Sequence, residues 1–438
     1  MVKLNSGVTD LNPLRRDFSA SIRHLRVFES VVQLQGVRRA SQECHLSQPA
    51  VTQAIAKLEE QIGVPLLDRR ASGSYLNDFG VIFHRRTQRF FEQVEQALIQ
   101  LGVPNNAVPL SRIAGRISKS QVRSLIAIVE NRSFAQAARA LDVSQTSLQR
   151  AARDLERTLR TPLYTQSASG IVATQATAEF ARKIKLALRE IERGVEEVEA
   201  ARGNIEGEIV IGAMLLSGSV LLASVVNEFA STYPNANIRI LNGNAEDMLQ
   251  YLRLGDVDLV IGLLREETSD DLAHEALAET PFVVAGRHGH PLARRAAATL
   301  DDLAKFEWVI GTPGASRRIR FDKLFADGRA PRAHIETCSL PTVRLLLAHS
   351  DRLTLLTSYE LLYEEDVLEA VPFGPIEPVP SIGLTTRSNW LPTQLQTNFM
   401  DLIRKRIMGS LLPTMNLKNS RTVTAVQGRK TYASTRAG

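Results

Sequence analysis

Two stretches of this 438-residue chain collect hydrogen-bonding side chains on one face of a short helix. The first runs Ser47-Gln48-Pro49 and continues with Thr52, Gln53 and Lys57. The second runs Ser144-Gln145-Thr146 and continues with Gln149, Arg150 and Arg153. Serine is a preferred N-cap, so Ser47 and Ser144 mark helix starts. The opposite faces are apolar: Val51, Ile55 and Leu58 in one helix, Leu148, Ala151 and Leu155 in the other. Amide and guanidinium groups near a helix start suit the base edges of a DNA major groove. There Gln pairs bidentately with adenine, Arg with guanine, and Thr meets the thymine methyl. The chemistry expected is recognition of double-stranded DNA.

No bond-breaking site competes with that reading. There is no Cys/His cluster with metal-ligand spacing, no Gly-x-Ser-x-Gly elbow, and no Gly-rich phosphate loop after a strand. The expectation is a non-enzyme without cofactor or metal. Cys44 and Cys338 are too few for a disulfide framework. His288 and His290, beside Pro291, read as solvated turn residues.

The elements that position the two polar faces belong to a repeat. Residues 25–80 align with 122–177 at a constant offset of 97, without a gap, and 13 of the 56 pairs are identical. Each copy opens with a helix of apolar period: Leu25, Phe28, Val31 and Val32, or Val122, Leu125, Ile128 and Val129. A short second helix holds small residues, Ala40-Ser41 and Ala137-Ala138, and the polar-faced helix is third. After Pro65-Leu66 and Pro162-Leu163 comes a turn flanked by β-type residues, a wing. In the first copy its Arg69 and Arg70 are placed to touch phosphate. A long helix follows each wing. Phe83, Thr87, Phe90, Val94, Ala97 and Leu101 in one, and Ala181, Ile184, Leu188, Ile191, Val195 and Val198 in the other, alternate steps of four and three. That is the seam of a coiled coil, so these helices are expected to dimerise.

Charge divides along the chain. Residues 1–102 hold 13 Lys/Arg against 10 Asp/Glu, and 103–205 hold 16 against 10, whereas 206–410 hold 19 against 27. A basic half joined to an acidic one suits a nucleic-acid-binding part linked to a part that stays off the duplex. The chain opens without an apolar signal segment and has no uninterrupted apolar run of about 18 residues, so a cytoplasmic protein without membrane contact is expected. The tail 411–438 carries five basic residues and no acid, and reads as disordered.

The segments Arg39-Ala40-Ser41, Leu46-Ser47-Gln48-Pro49-Ala50-Val51-Thr52, Leu58-Glu59 and Gly63-Val64-Pro65-Leu66-Leu67-Asp68-Arg69 resemble the LysR-type transcriptional regulators. The likeness extends over residues 25–410. It implies sequence-specific DNA binding that controls transcription, modulated by a small organic effector, in a homodimer or homotetramer that meets RNA polymerase. The family carries one winged helix-turn-helix per chain, and this chain has two. The second departs from the motif at Arg160, Gln166 and Thr177, where the first has Gly63, Arg69 and Gly80.

Beyond a hinge at Gly203-Asn204-Ile205-Glu206-Gly207, strands alternate with helices: 208–212, 220–233, 237–241, a helix ending at Leu254-Gly255, and 257–262. That order implies parallel strands, with ligands beyond their carboxyl ends. A second unit begins near His288, and the chain returns near Ile382. The resemblance implies two α/β lobes like those of periplasmic binding proteins. Ser217, Ser219, Gly262, Thr312, Ser339 and Thr342 stand at strand ends or helix starts facing the cleft. Hydroxyls and free N–H groups there favour a small carboxylate. The expected fold class is a multidomain α+β and α/β chain. It has winged helix-turn-helix copies at 20–80 and 119–177, coiled-coil-like helices at 81–102 and 178–203, and an effector domain at 206–410. Within that domain lobe I takes 206–286 and 380–410, and lobe II takes 288–378.

Overall fold

A computed structural model describes residues 21–418 apart from 105–108, 168–169, 215–216, 266–268 and 329. The first unit comprises α1 (Ile22–Leu34), α2 (Val37–Glu43), α3 (Gln48–Ile62) and an antiparallel ribbon of β1 (Leu67–Arg70) and β2 (Gly73–Leu76), followed by α4 (Asp78–Gln100). A short α5 (Leu110–Ala114) leads to the second: α6 (Lys119–Asn131), α7 (Phe134–Ala140), α8 (Gln145–Leu159), the ribbon β3 (Tyr164–Ser167) and β4 (Gly170–Ala173), then α9 (Gln175–Ala201).

The repeat is built from the same local solutions. Ser47 accepts from the Ala50 amide and Ser144 from the Ser147 amide, capping α3 and α8, and Pro49 falls in the first turn, where its missing N–H costs nothing. Glu59 and Glu156 each accept from two backbone amides at the entry to the ribbon, Leu66 with Leu67 and Leu163 with Tyr164. In α8 the buried face is Leu148, Ala152 and Leu155; the expected Ala151 is half-buried, because the packed stripe turns by one residue.

The seams expected on the long helices are buried against each other within one chain. α4 and α9 run antiparallel: Phe83 and Arg86 meet Gly194, whereas Gln93, two turns further along α4, meets the earlier Glu190. Phe83, Phe90 and Val94 join Ala181, Ile184 and Ile191 in a single core that also takes residues from α1 and α6. A Cβ on Gly194 would lie 3.1 Å from Phe83 and from Arg86, so glycine sets how closely the helices approach.

The C-terminal part follows as β5 (Gly207–Met214), α10 (Ser217–Thr232), β6 (Ala236–Gly243), α11 (Ala245–Leu254), β7 (Leu259–Leu263) and β8 (Leu272–Glu279). The second lobe holds β9 (Phe282–Arg287), α12 (Leu300–Leu303), β10 (Val309–Ile310), α13 (Ser316–Leu324), β11 (Ile335–Glu336), α14 (Leu340–Ala348), β12 (Thr354–Thr357), α15 (Ser358–Leu362) and β13 (Leu368–Ala370). The chain returns through β14 (Ser381–Arg387) and ends in α16 (Gln394–Lys418), which packs on α10.

Four expectations change. The first sheet, ordered β6-β5-β7-β14-β8, is parallel only across β6, β5 and β7; β14 runs antiparallel to β7 and β8 because the chain enters it from the other lobe. β9 pairs with β12 and β13, so the lobes divide before Phe282 and not after residue 286. His290 is buried rather than solvated: its Nε2 donates to the Asp351 carbonyl and its Nδ1 accepts from the Leu292 amide. α16 continues to Lys418, past residue 410 where a disordered tail was expected; residues 419–438 lie outside the described residues.

Gly194→Val is expected to wedge α4 from α9 and to destabilise the N-terminal half by about 1–3 kcal/mol, the usual cost of overpacking. Thermal unfolding followed by circular dichroism reads this as a lowered midpoint, and an unchanged midpoint would mean that the helices do not meet at this register.

Candidate nucleic-acid interface and effector cleft

Gln48, Pro49, Gln53 and Lys57 are exposed along α3, with Thr52 half-buried between them. On α8, Gln145, Thr146 and Arg150 are exposed and Gln149 is half-buried. Ser47 and Ser144 stand beside them with their hydroxyls engaged as caps. At the wing Arg69 and Arg70 are exposed, and Arg70 lies 3.4 Å from Asp68 and over the Tyr75 ring. Arg38 and Arg39, at the start of α2, share a concave surface with this wing. The sequence reading missed that pair, although two arginines opening a helix next to a wing are a legible signal. At the positions 97 later the second unit has Ala135, Gln136, Gln166 and Ser167, so four arginines have no counterpart there.

Between the two lobes lies a cavity of about 120 Å³. Thr312 lines it, its hydroxyl 3.2 Å from the Cys338 sulfur. Ser339 and Thr342 do not line it: Ser339 caps α14, and the Thr342 hydroxyl donates to that cap. Gly262 lies beneath Met214, where a Cβ would come within 2.7 Å of the methionine. Ser217 opens α10 and Ser219 sits in its first turn; their side chains lie outside the described residues.

The cavity also contains a residue that sequence reasoning did not single out. Arg317 is 5% exposed, and none of its three guanidinium nitrogens has an oxygen acceptor among the described residues; its hydrogen-bonding neighbour there is the thiol of Cys338, a weak acceptor. Burial holds its pKa below the ordinary value, against the opposing pull of Cys338 and Glu360. Arg317 belongs to the first turn of α13, whose N-cap is Ala315 and supplies no side-chain acceptor. A buried cation with only a thiol to accept from it, next to an uncapped helix start, is a site that calls for an anion. The available signal was the alanine standing where Ser, Thr, Asp or Asn usually caps.

Segments 22–81 and 120–178 each match the model of the bacterial regulatory helix-turn-helix proteins of the lysR family, and 202–407 match the LysR substrate binding domain. The chain belongs to the LysR family. It is 30% identical over 393 residues to the HTH-type transcriptional regulator GalR of Pseudomonas putida, an alignment covering 88% of this chain and 97% of that one. GbpR of Rhizobium radiobacter is 31% identical over 238 residues, covering 52% of this chain and 76% of GbpR. Among solved structures, a full-length single-site variant of OxyR from Pseudomonas aeruginosa aligns at 19% identity with a TM-score of 0.48, over 66% of this chain and 93% of that one. This LysR-family protein is thus a DNA-binding transcription regulator with a domain for a small-molecule effector, and not an enzyme. Among its described residues no helix is long and apolar enough to cross a membrane.

In this LysR-family chain the two halves meet through buried charge. Arg86 is fully buried and donates to Glu190, Glu197 and the carbonyls of Leu391 and Pro392. Burial works against its charge, but Glu197 and Glu190 outweigh it and raise the pKa. Arg193 donates to Asp258, which also accepts from the Val210 amide. Around them burial pushes both Glu192 and Glu196 up to about 7, with Asp258 adding to the shift and Arg193 opposing it; Arg189 further opposes it at Glu192.

Carboxyls raised in the folded state favour folding while protonated, and that contribution is lost as pH rises through their folded value. The contact between α9 and the effector domain should therefore weaken between about pH 5 and pH 8. A Glu192→Gln/Glu196→Gln variant should flatten the fall in melting temperature over this range. An identical slope in the variant would show that other groups set it.

Proposed function

We propose that the chain reads a duplex with both helix-turn-helix units at once, and that a small carboxylate held in the cleft modulates this binding. The observation that carries the reading is the packing of α4 on α9. Antiparallel pairing sets the two units at opposite ends of a helix pair. Each unit is a winged helix-turn-helix, and α4, with 23 residues, is about 34 Å long at 1.5 Å per residue. One turn of B-DNA, about 34–36 Å, separates the half-sites of paired helix-turn-helix units. One chain then holds the two recognition helices that elsewhere require two subunits, and a homodimer of chains presents four.

The first unit does most of the base reading, through Gln48, Pro49, Thr52 and Gln53, with Lys57 and the wing arginines on phosphate. The second, through Gln145, Thr146, Gln149 and Arg150, fixes geometry and adds a weaker contact. The loss of four arginines from the second unit supports that order. In the cleft Arg317 and the start of α13 take the carboxylate, with Thr312 beside it.

Footprinting at fixed salt tests the division of labour. Gln48→Ala/Gln53→Ala should lose about 1–3 kcal/mol per base contact, tenfold or more in affinity, and Gln145→Ala/Arg150→Ala much less. A larger loss from the second pair would make the first unit the accessory one. In the same protein Arg317→Met should abolish the shift of melting temperature by small carboxylates; a retained shift removes Arg317 from the site.

A further inference from the structure

The 97-residue offset continues past the wings. Phe83 and Arg85 of α4 correspond to Phe180 and Arg182 of α9, and Ala97 corresponds to Gly194. Antiparallel helices related in this way have a local two-fold axis, so each contact implies a mate. Phe83 fills the space beside Gly194, and the mate that the symmetry implies is Phe180 with Ala97; all four are buried. The axis passes near Phe90 and Ala187, both fully buried.

The polar contacts break this symmetry. On one side Arg86 is closed in by Glu190 and Glu197. On the other, the place of Arg86 is taken by Lys183, and the places of the two glutamates by Gln93 and Gln100. The cation is kept, and both carboxylates have become amides. Lys183 is half-buried and forms no hydrogen bond or ion pair among the described residues. Burial and the adjacent Arg182 lower its pKa, against Glu179.

A cavity of about 200 Å³ opens at this position, between α4, α9 and the segment after β14. Arg182, Lys183, Arg193 and Arg387 bring four cationic groups to its wall. Arg182 is paired with Glu179, Arg193 with Asp258, and Arg387 donates to the carbonyls of Leu252 and Val257, which leaves Lys183 as the cation here without a partner among the described residues. Its one carboxylate among the described residues, Glu190, is already shared between Arg86 and Arg89. Trp390 also lines it, and its indole N–H is buried without a partner among the described residues. We propose that this cavity binds a small multivalent oxyanion, which takes the place of the two carboxylates missing from the second half of the helix pair. Its walls come from both helix-turn-helix units and the effector domain, so the bound anion ties the three together. The site is separate from the cleft at Arg317 and does not depend on the role given to that cleft.

The test uses the full chain with citrate and inorganic phosphate as probes and acetate as the monovalent control, all at matched ionic strength. Citrate or phosphate should raise the melting temperature saturably, and the stronger of the two assigns carboxylate or phosphate chemistry. Gln93 already donates to Glu190 at 3.3 Å, so a carboxylate there would meet another; Gln100→Glu is the better replacement. Gln100→Glu, which supplies the carboxylate of Glu197's mate, should weaken the response at least tenfold, and so should Lys183→Met. Arg317→Met should leave the response intact, which separates this site from the cleft. Equal shifts with acetate in the Arg317→Met chain, where the cleft no longer answers carboxylates, or an undiminished response in both Gln100→Glu and Lys183→Met, would overturn the proposal.

Discussion

Arg86 has no exposure to solvent, and a guanidinium so placed must find every partner inside the protein or the fold loses several kcal/mol. Arg86 ties three parts of the chain together: it leaves α4 of the first helix-turn-helix unit, pairs with two glutamates on α9 of the second, and donates to carbonyls of Leu391 and Pro392 in the effector domain. None of these parts can turn relative to the others without exposing or orphaning that charge. The apolar seam brings α4 and α9 together, and Arg86 fixes where along the seam they stop. The register then follows from the meeting of Phe83 with Gly194.

The same contact lies on the way from the cleft to the DNA-binding half. Leu263, at the end of β7, lines the cavity that holds Arg317, and β7 pairs along its length with β14. Beyond β14 the chain passes directly to Asn389, whose carbonyl accepts from Arg89, and to the carbonyls that accept from Arg86. If an anion binds there as proposed, a change of lobe geometry around it would reach side chains of α4, not only the hinge before β5. The raised carboxyls Glu192 and Glu196 make this junction responsive to pH near neutrality.

The helix-turn-helix units were legible because their signals are local. A serine cap, an apolar stripe, a proline-leucine step and a glutamate that holds the ribbon entry all recur within one unit, and the constant offset doubled each of them. The partner of the long helices was not legible. A repeat of three and four residues says that a helix has a seam to bury, but does not say whether the second strand comes from the same chain. Which residues line the cavity between the lobes was half legible. Thr312 is at the cavity, but Ser339 and Thr342 serve as caps, since a hydroxyl at a helix start is equally good for either purpose. Arg317 escaped because a buried cation without an oxygen acceptor is created by tertiary packing and has no pattern in sequence. The division of the lobes at Phe282 escaped for a similar reason: β8 and β9 are consecutive strands, and only their pairing assigns them to different sheets.

Whether α4 closes on α9 within one chain can be measured directly by cross-linking. Gln96 and Leu186 line the same cavity from opposite helices. In a chain whose two native cysteines are replaced by Cys44→Ala and Cys338→Ser, the pair Gln96→Cys/Leu186→Cys can be joined with a short bis-maleimide. The joined product is then weighed under denaturing conditions. Closure within the chain predicts a product of one-chain mass carrying one linker, formed at a rate independent of protein concentration. A product of two-chain mass, increasing with concentration, would show that the seam joins separate subunits and would contradict the account.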